Sequence, residues 1–325
     1  MKSNIIQNGL IIQTPAKLNL FFEVLHKRSD NYHEIETITT LIDLYDELRI
    51  TKQNSDKNFK IRDKNSRIIS ESNPKIDKID FRCQDSNGLE LDLGIPKNEK
   101  NLVLKAVELF QKKTGRIEPL SIQLIKRIPS QAGLGGGSSD AAATLWGLNK
   151  LFQTQLSQPD LQELGAKLGS DVPLFLVDSG IVLGKGRGEI VKSLDNIQES
   201  YFVLLKPPLG LSTAAVYAQS EKIRNSEKYQ IKKANSLLNE SQTGLSDNWP
   251  SLIFNRLEEA ASLIWENIEK IKKKMKLLNV LGVQMTGSGS CLFAICPNRE
   301  TANQIAFLLK LENMGQIIVA KSCSQ

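Results

Sequence analysis

Residues 129–143, Pro-Ser-Gln-Ala-Gly-Leu-Gly-Gly-Gly-Ser-Ser-Asp-Ala-Ala-Ala, have the composition of an anion cradle. Glycines at 133, 135, 136 and 137 remove the Cβ atoms that would keep a ligand away from the backbone. Ser138 and Ser139 follow, then small residues, then a periodic apolar run of Leu145, Trp146, Leu148, Leu151 and Phe152. This pattern predicts a helix with Ser138 or Ser139 as N-cap. Its free N–H groups and positive dipole end would face the glycines, an arrangement suited to phosphate. Two better-known phosphate loops do not fit. No Lys follows Gly137, so the Gly-x-x-x-x-Gly-Lys-Ser/Thr pattern is missing, and Ser138 stands where Gly-x-Gly-x-x-Gly needs its third glycine.

The elements around the cradle follow from hydrophobic period. Ser121–Ile128 alternates Ile122, Leu124 and Ile128 and reads as the strand before the loop. Leu10–Gln13 and Lys17–Val24 read as strands, the second with Lys17, Asn19, Phe21 and Glu23 on one face. Ile35–Leu44 and Glu47–Thr51 read as two more. Residues 52–100 are polar, with strand-like pieces at Phe59–Arg62 and Leu89–Leu93. We read them as an inserted β-rich excursion or partly mobile loop rather than a domain, and expect a chain without residues 55–95 to retain activity, since long surface insertions are thermodynamically tolerated. Helices are expected over Asn101–Lys113, closed near Gly115, and over Ser157–Gly169, with Ser157 as cap and Pro159 in the first turn. Ser170 or Asp171 should open a short helix through Phe175. Ile181–Val191 and Tyr201–Lys206 read as strands, and Ser220–Pro250 as a polar stretch. The remainder reads helix 251–276, strand 280–286, Gly turn, strand 291–296, helix 300–311, strand 316–321, a run typical of an α+β sandwich.

Three segments carry a family resemblance: the cradle, Pro15-Ala16-Lys17-Leu18-Asn19-Leu20 near the start, and Met285-Thr286-Gly287-Ser288-Gly289-Ser290-Cys291 near the end. In this order they resemble the GHMP kinases. Asp30-Asn31-Tyr32-His33, the triple glycine, and Gly169-Ser170-Asp171-Val172-Pro173 narrow the resemblance to the branch whose acceptor is a cytidine-diphosphate-linked methylerythritol of the non-mevalonate isoprenoid route. Asn31 replaces the usual Gly before Tyr-His, and Ser170 replaces the usual Ala before the Asp.

The resemblance implies an α+β, two-lobed GHMP-kinase fold, with a ribosomal-protein-S5-like N-terminal lobe over 1–195 and a ferredoxin-like C-terminal lobe over 196–325. It implies ATP with Mg²⁺, bound by Pro129, Ser130, Gln131, Ala132, Gly133, Leu134, Gly135, Gly136, Gly137, Ser138 and Ser139. Lys17 and Asp171 fall on the catalytic positions. Asp171 would take the acceptor proton and Lys17 would hold it ionised, since a lysine among apolar neighbours needs a partner. Tyr32, His33 and Tyr217 are the cytosine readers, Asn19 a ligand of the methylerythritol hydroxyls, and Gly287, Ser288 and Gly289 a turn closing on the substrate. Asp140 is expected only to decorate the first turn of its helix.

Composition sets outer bounds. Of 325 residues, 40% are hydrophobic and 24% charged, ordinary values for a globular protein and enough for two domains. Cys83, Cys291, Cys296 and Cys323 form no Cys-x-x-Cys, and two histidines are too few for most metal sites, so no dedicated protein metal site is expected. Reduced thiols and a start with no apolar leader point to the cytoplasm. The net charge of +6 is scattered, except for Lys270, Lys272, Lys273, Lys274 and Lys276 at a helix end. We expect small-molecule partners, no nucleic acid, no membrane, and a monomer or weak homodimer.

Overall fold

The computed structural model describes residues 1–53, 79–89, 96, 98–116, 118–194, 199–223 and 249–323. Among them the chain forms twelve strands and seven α-helices, a mixed α+β architecture. It divides into two compact units, each discontinuous in sequence.

The first unit comprises Met1–Pro15, Tyr45–Ile128 and Gly136–Leu176. Strand β1 (Lys2–Ile6) makes a tight antiparallel hairpin with the start of β2 (Gly9–Lys27), with Ile6 opposite Gly9. The end of β3 (His33–Lys52) pairs antiparallel with β5 (Leu120–Lys126), and β4 (Ile79–Asp85) runs parallel along the other edge of β5. Three helices belong to this unit: α1 (Leu102–Thr114), α2 (Gly136–Phe152) and α3 (Gln158–Leu168). Asn101 caps α1 by accepting from the Val103 N–H at 2.9 Å. Ser157 and Asp160 form a reciprocal capping box on α3. Gly147 of α2 lies directly against Ile12 and Ile50, so the helix seats on the sheet without a side chain between them. Phe110 stacks on Phe152 with ring centroids 6.2 Å apart. Burying such a ring stabilises the fold by about 1.5–3 kcal/mol.

The second unit comprises Ala16–Leu44, Pro129–Gly135 and Val177–Gln325. Here β3 pairs antiparallel with β6 (Ile181–Gly186), β6 turns into β7 (Ile190–Leu194), and the short β9 (Phe254–Asn255) lies parallel to β2. A second sheet has the order β10 (Gly282–Met285), β11 (Leu292–Cys296), β8 (Tyr201–Lys206), β12 (Gln316–Lys321), antiparallel throughout. Four helices accompany it: α4 (Thr213–Ile223), α5 (Leu257–Ile264), α6 (Asn267–Lys276) and α7 (Arg299–Leu311). Grouping α4 to α6 as one crossover, the chain order is β-α-β-β-α-β, the ferredoxin-like arrangement expected from sequence. Its central strand β8 buries Phe202, Val203, Leu204 and Leu205 consecutively, as a strand covered on both faces must.

Several expectations need correction. The two strands expected over residues 10–24 are one, and Thr14, Pro15 and Ala16, where the break was expected, are buried within β2. The two expected over 35–51 are likewise continuous in β3. Ile181–Val191 breaks into β6 and β7 around Arg187, Gly188 and Glu189. The helix expected over 251–276 is interrupted by β9 and by a second break between Ile264 and Asn267. Asp171 stands in a turn, and the short helix after it is a single 3₁₀ turn, Pro173–Leu176. Residues 79–85 of the supposed excursion are a sheet strand with Ile79 and Cys83 buried. Phe59–Arg62, residues 90–93, 195–198 (where the lobe boundary was expected) and 224–248 lie outside the described residues.

Candidate active site

The glycine-rich loop is shaped by backbone conformation. Gln131, Gly133 and Gly135 all have left-handed φ values, 51°, 74° and 72°. Buried Ala132 and Leu134 plug inward between them. Once past Gly135 the chain is helical, so α2 begins at Gly136, two residues before the expected cap. Ser138 and Ser139 therefore lie inside the first helical turn rather than ahead of it. The Ser139 hydroxyl is fully buried and has no hydrogen-bond partner among the described residues. Such an orphan is costly unless a ligand completes it.

The three motifs meet within the second unit. The Lys17 N–H donates to the Leu134 carbonyl at 3.0 Å, joining β2 to the loop. The Thr286 hydroxyl lies 3.3 Å from both the Gly133 carbonyl and the Asn19 Oδ1, and accepts from the Asn19 N–H at 3.1 Å. A Cβ on Gly133 would stand 2.1 Å from the Thr286 carbonyl, which makes glycine obligatory there. A Cβ on Gly287 would meet the Gly133 carbonyl, the Lys17 Nζ and the Asn19 Oδ1 at 3.3 to 3.4 Å. Segments separated by more than a hundred residues thus converge on the Lys17 ammonium.

Lys17 is only 3% exposed. Its Nζ donates to Asn19 Oδ1 at 2.5 Å. The Asn19 amide in turn donates to the Thr37 and Thr39 hydroxyls at 2.9 and 3.2 Å. Asn19 is thereby fixed as an orienter of Lys17. Asn255, which sequence reading missed, holds the last motif: its Nδ2 donates to the Met285 and Gly287 carbonyls, both at 2.8 Å. Nothing in its local sequence shows this, because its partners lie some thirty residues away. Ser288 of the same turn hydrogen-bonds Thr213 at the start of α4, 2.9 Å away.

The aromatic candidates also gather in the second unit. Asn31 adopts φ 65°, a left-handed conformation that asparagine tolerates and glycine usually supplies, which accounts for the substitution noted above. That turn sets Tyr32 outward, 52% exposed, with the Arg187 guanidinium 4.7 Å from its ring centroid. His33 points inward. Its ring stacks on Tyr217 at 5.2 Å and its Nε2 lies 2.9 Å from Glu221. Lys27 also reaches Glu221 at 2.9 Å, and this hydrogen bond is the chief cause that holds the Glu221 carboxyl below its usual range.

In the first unit, Asp171 follows α3 in a turn closed by the Val172 N–H to the Gly169 carbonyl at 3.2 Å, with Val172 packed under Gly165. Asp140 does not decorate a surface turn. It is 1% exposed, accepts from the Thr14 hydroxyl at 2.8 Å, and pairs with Lys126 at 2.7 Å. The lysine cluster on α6 is largely neutralised. Lys270, Lys272, Lys273 and Lys274 pair with Glu266, Glu258, Glu269 and Glu312. Burial pushes the Cys291 and Cys296 thiols up to about 12, so neither is a nucleophile at neutral pH. No described helix is long and apolar enough to cross a membrane.

The comparisons agree with this geometry. Residues 101–179 match the pattern of the GHMP kinases N terminal domain, and residues 232–309 match GHMP kinases C terminal. A 4-diphosphocytidyl-2-C-methyl-D-erythritol kinase of Shouchella clausii is 36% identical over 90% of this chain and 88% of its own length. The protein of the same name from Carboxydothermus hydrogenoformans is 34% identical over 95% and 96%. A crystal structure of 4-(cytidine 5'-diphospho)-2C-methyl-D-erythritol kinase superposes with a TM-score of 0.74 at 26% identity, covering 97% of this chain and all of that one. With its three motifs converging on Lys17 and relatives matched along nearly its whole length, the chain belongs to the 4-diphosphocytidyl-2-C-methyl-D-erythritol kinase family of GHMP kinases.

Proposed function

We propose that this protein transfers the terminal phosphoryl group of ATP to the 2-hydroxyl of 4-diphosphocytidyl-2-C-methyl-D-erythritol, in the non-mevalonate route to isoprenoid precursors. The observation that carries the reading is the convergence of the Lys17, Gly133 and Thr286 segments through direct hydrogen bonds. Phosphoryl transfer is mostly a matter of positioning and charge stabilisation, and these are what the site offers. The loop from Pro129 to Gly135 and the first turn of α2 cradle the triphosphate through backbone N–H groups and the helix dipole. Lys17 stabilises charge at the attacking oxygen, and Asp171 orients the acceptor hydroxyl and receives its proton. Tyr32, His33 and Tyr217 read the cytosine, and Gly287, Ser288 and Gly289 border the substrate.

Mg²⁺ accompanies the ATP. The residues suit it: the Ser139 hydroxyl is buried without a partner among the described residues, and Ser138 stands beside it. These hydroxyls and the phosphate oxygens would hold the ion, which neutralises phosphate charge when bound. The reading places the enzyme in the cytoplasm as a monomer or weak homodimer, a state that sedimentation would report.

Coupled ADP release with purified protein tests the proposal. The cytidine acceptor should be phosphorylated, and homoserine and mevalonate should not. Asp171→Asn should keep nucleotide binding and lower turnover by about 10²–10⁴, the usual effect of losing a positioned acid–base group. Equal rates on a free small alcohol would sink the acceptor assignment, and near-normal turnover of Asp171→Asn would remove it from the mechanism.

A further inference from the structure

The first unit contains a buried cluster of charges that the chemistry above leaves unused. Lys126, Asp46 and Asp140 are all nearly solvent-free. The Lys126 ammonium donates to Asp140 Oδ2 at 2.7 Å and also pairs with Asp46 Oδ2. Two carboxylates share one ammonium, so the cluster carries an excess negative charge when both are ionised. Burial, and next the Asp140 charge, push the Asp46 carboxyl up to about 6, against the pull of Lys126. Burial alone would lower the Lys126 pKa, but the two carboxylates raise it. Replacing such a buried ion cluster by apolar residues of similar volume is often neutral or stabilising, so bulk stability is a poor reason to keep it.

Their placement supplies a better reason. Asp46 Oδ1 accepts from the Arg127 and Ile128 N–H groups at 2.5 and 2.8 Å, the last two residues before the phosphate loop opens at Pro129. Asp140 is the residue after Ser139, where the loop has become helix. Its other oxygen accepts from Thr14, three residues ahead of Lys17 on β2. A Cβ on Gly136 would lie 3.0 Å from the Ile128 side chain and 3.3 Å from the Lys126 Nζ. The cluster therefore sits directly against the first residue of α2, tied to the chain on both sides of the loop. Gly136 is constrained by this contact and not by its φ, which lies outside the left-handed region.

We propose that Asp46, Lys126 and Asp140 are positioning residues, a buried clamp that holds the two ends of the phosphate loop at fixed separation and so sets affinity for the nucleotide triphosphate without touching it. The proposal rests on the assignment of residues 129–139 as the phosphate site. Excess negative charge under an anion site would weaken it, so the carboxylates act through the hydrogen bonds they impose, with Lys126 offsetting them.

The test uses Lys126→Met and Asp140→Asn in the full chain, with Phe110→Leu as a control that loosens the α1–α2 core away from the loop. ATP binding is read by titration without acceptor, and Michaelis constants for ATP and for the cytidine acceptor by coupled assay, all well below each variant's melting midpoint. Both clamp variants should weaken ATP by about ten- to a hundredfold, the scale of an ångström-level misplacement. The acceptor constant should move less than twofold. Phe110→Leu should lower the midpoint and leave ATP affinity unchanged. The clamp is overturned if ATP affinity stays normal in both variants, if ATP and acceptor constants rise together, or if the control weakens ATP equally. A wild type that binds ATP but phosphorylates no cytidine acceptor would sink the functional reading and leave the clamp standing. A wild type that binds no nucleotide would sink both.

Discussion

The flanks of the phosphate loop and the Tyr32–His33 corner hold their side chains in opposite ways. In the first, Asp46, Lys126 and Asp140 are buried, and they contact one another, two backbone N–H groups and the Thr14 hydroxyl in a dry interior. In the second, Tyr32 is half in solvent, and the ion pairs of Arg28 with Asp30 and Glu34, and of Lys27 with Glu221, are partly exposed. Interactions in water-free surroundings are strong and leave few alternatives, whereas exposed pairs are screened and loosely held. The contrast fits the two ligands of the proposed function: a triphosphate would be gripped by backbone N–H groups that must be aimed in advance, and a base would be sandwiched by rings that settle around it.

The rigid side should fail most sharply. Gly133→Ala places a Cβ 2.1 Å from the Thr286 carbonyl at a residue with φ 74°. The backbone must shift where the loop, β2 and the Thr286 segment meet. We expect the Michaelis constant for ATP to rise by about a hundredfold, with a lower melting midpoint. A variant with normal ATP kinetics would show that the loop yields, and the contrast would lose its first half.

On the adaptable side, Tyr32→Ala and Tyr217→Ala should each raise the Michaelis constant for the cytidine acceptor and spare that for ATP. Losing one base–aromatic stack is worth about 1–3 kcal/mol by analogy with single-strand readers. That is roughly a five- to 150-fold loss of affinity. Tyr217 also stacks on His33, so its removal should disturb His33 as well, and the double variant should be less than additive. Loss of ATP affinity on either substitution would mean that the corner does not serve the acceptor.

These behaviours were unequally legible in the sequence. Lys17, Asn19, the glycine loop and Thr286 are local motifs, and the structure brings them together as their resemblance implied. The Ser157 cap of α3 and the close of α1 near Gly115 were equally readable, because they depend on residues a few positions apart, while the ferredoxin-like lobe was implied by the family resemblance. The clamp was not. Asp140 finds its partners 14 and 126 residues away, and a lone Asp after two serines looks like helix-end chemistry. Strand β4 was hidden by the polar sequence around it. Since it pairs along seven residues of β5, removing residues 55–95 should expose that edge and lower the melting midpoint, contrary to the tolerance expected from sequence. Asp46 had no signal either, since its partners Lys126, Arg127 and Ile128 lie some eighty residues away in sequence.

Titration offers a subtler separation. The groups facing Asp46 are Lys126, Asp140 and the Arg127 and Ile128 N–H donors. Its folded value, about 6, lies above the usual 3.8, so the folded state holds this proton more tightly than the unfolded one. The penalty for ionising Asp46 is therefore full above pH 6 and relieved as pH falls toward 4. Exposed carboxylates such as Glu221 are shifted down and act in the opposite sense. Unfolding free energies of the wild type and Asp46→Asn, compared from pH 7.5 to 5, should show the wild type gaining on the variant as the pH falls. A constant difference would mean that Asp46 is not held in the raised state.

The smallest effect is expected at Glu221. Its carboxylate accepts from Lys27 and lies against His33, each at 2.9 Å, which makes it the electrostatic hub of the Tyr32–His33 corner. Its side chain is nevertheless 39% exposed, and that of Lys27 is 52% exposed. Exposed ion pairs of this kind contribute about 0.2–1 kcal/mol, which corresponds to less than about a sixfold change in affinity. Glu221→Gln keeps an acceptor oxygen for one partner and removes only the charge. The stack of His33 on Tyr217 should then hold the histidine ring in place. We expect the acceptor constant to rise at most severalfold, the ATP constant to stay put, and the difference to fade in high salt because the pair is open to screening. If Glu221→Gln instead matched or exceeded Tyr32→Ala, and the effect survived high salt, the corner would be organised by charge as the phosphate loop is. The two regions would then share one construction principle.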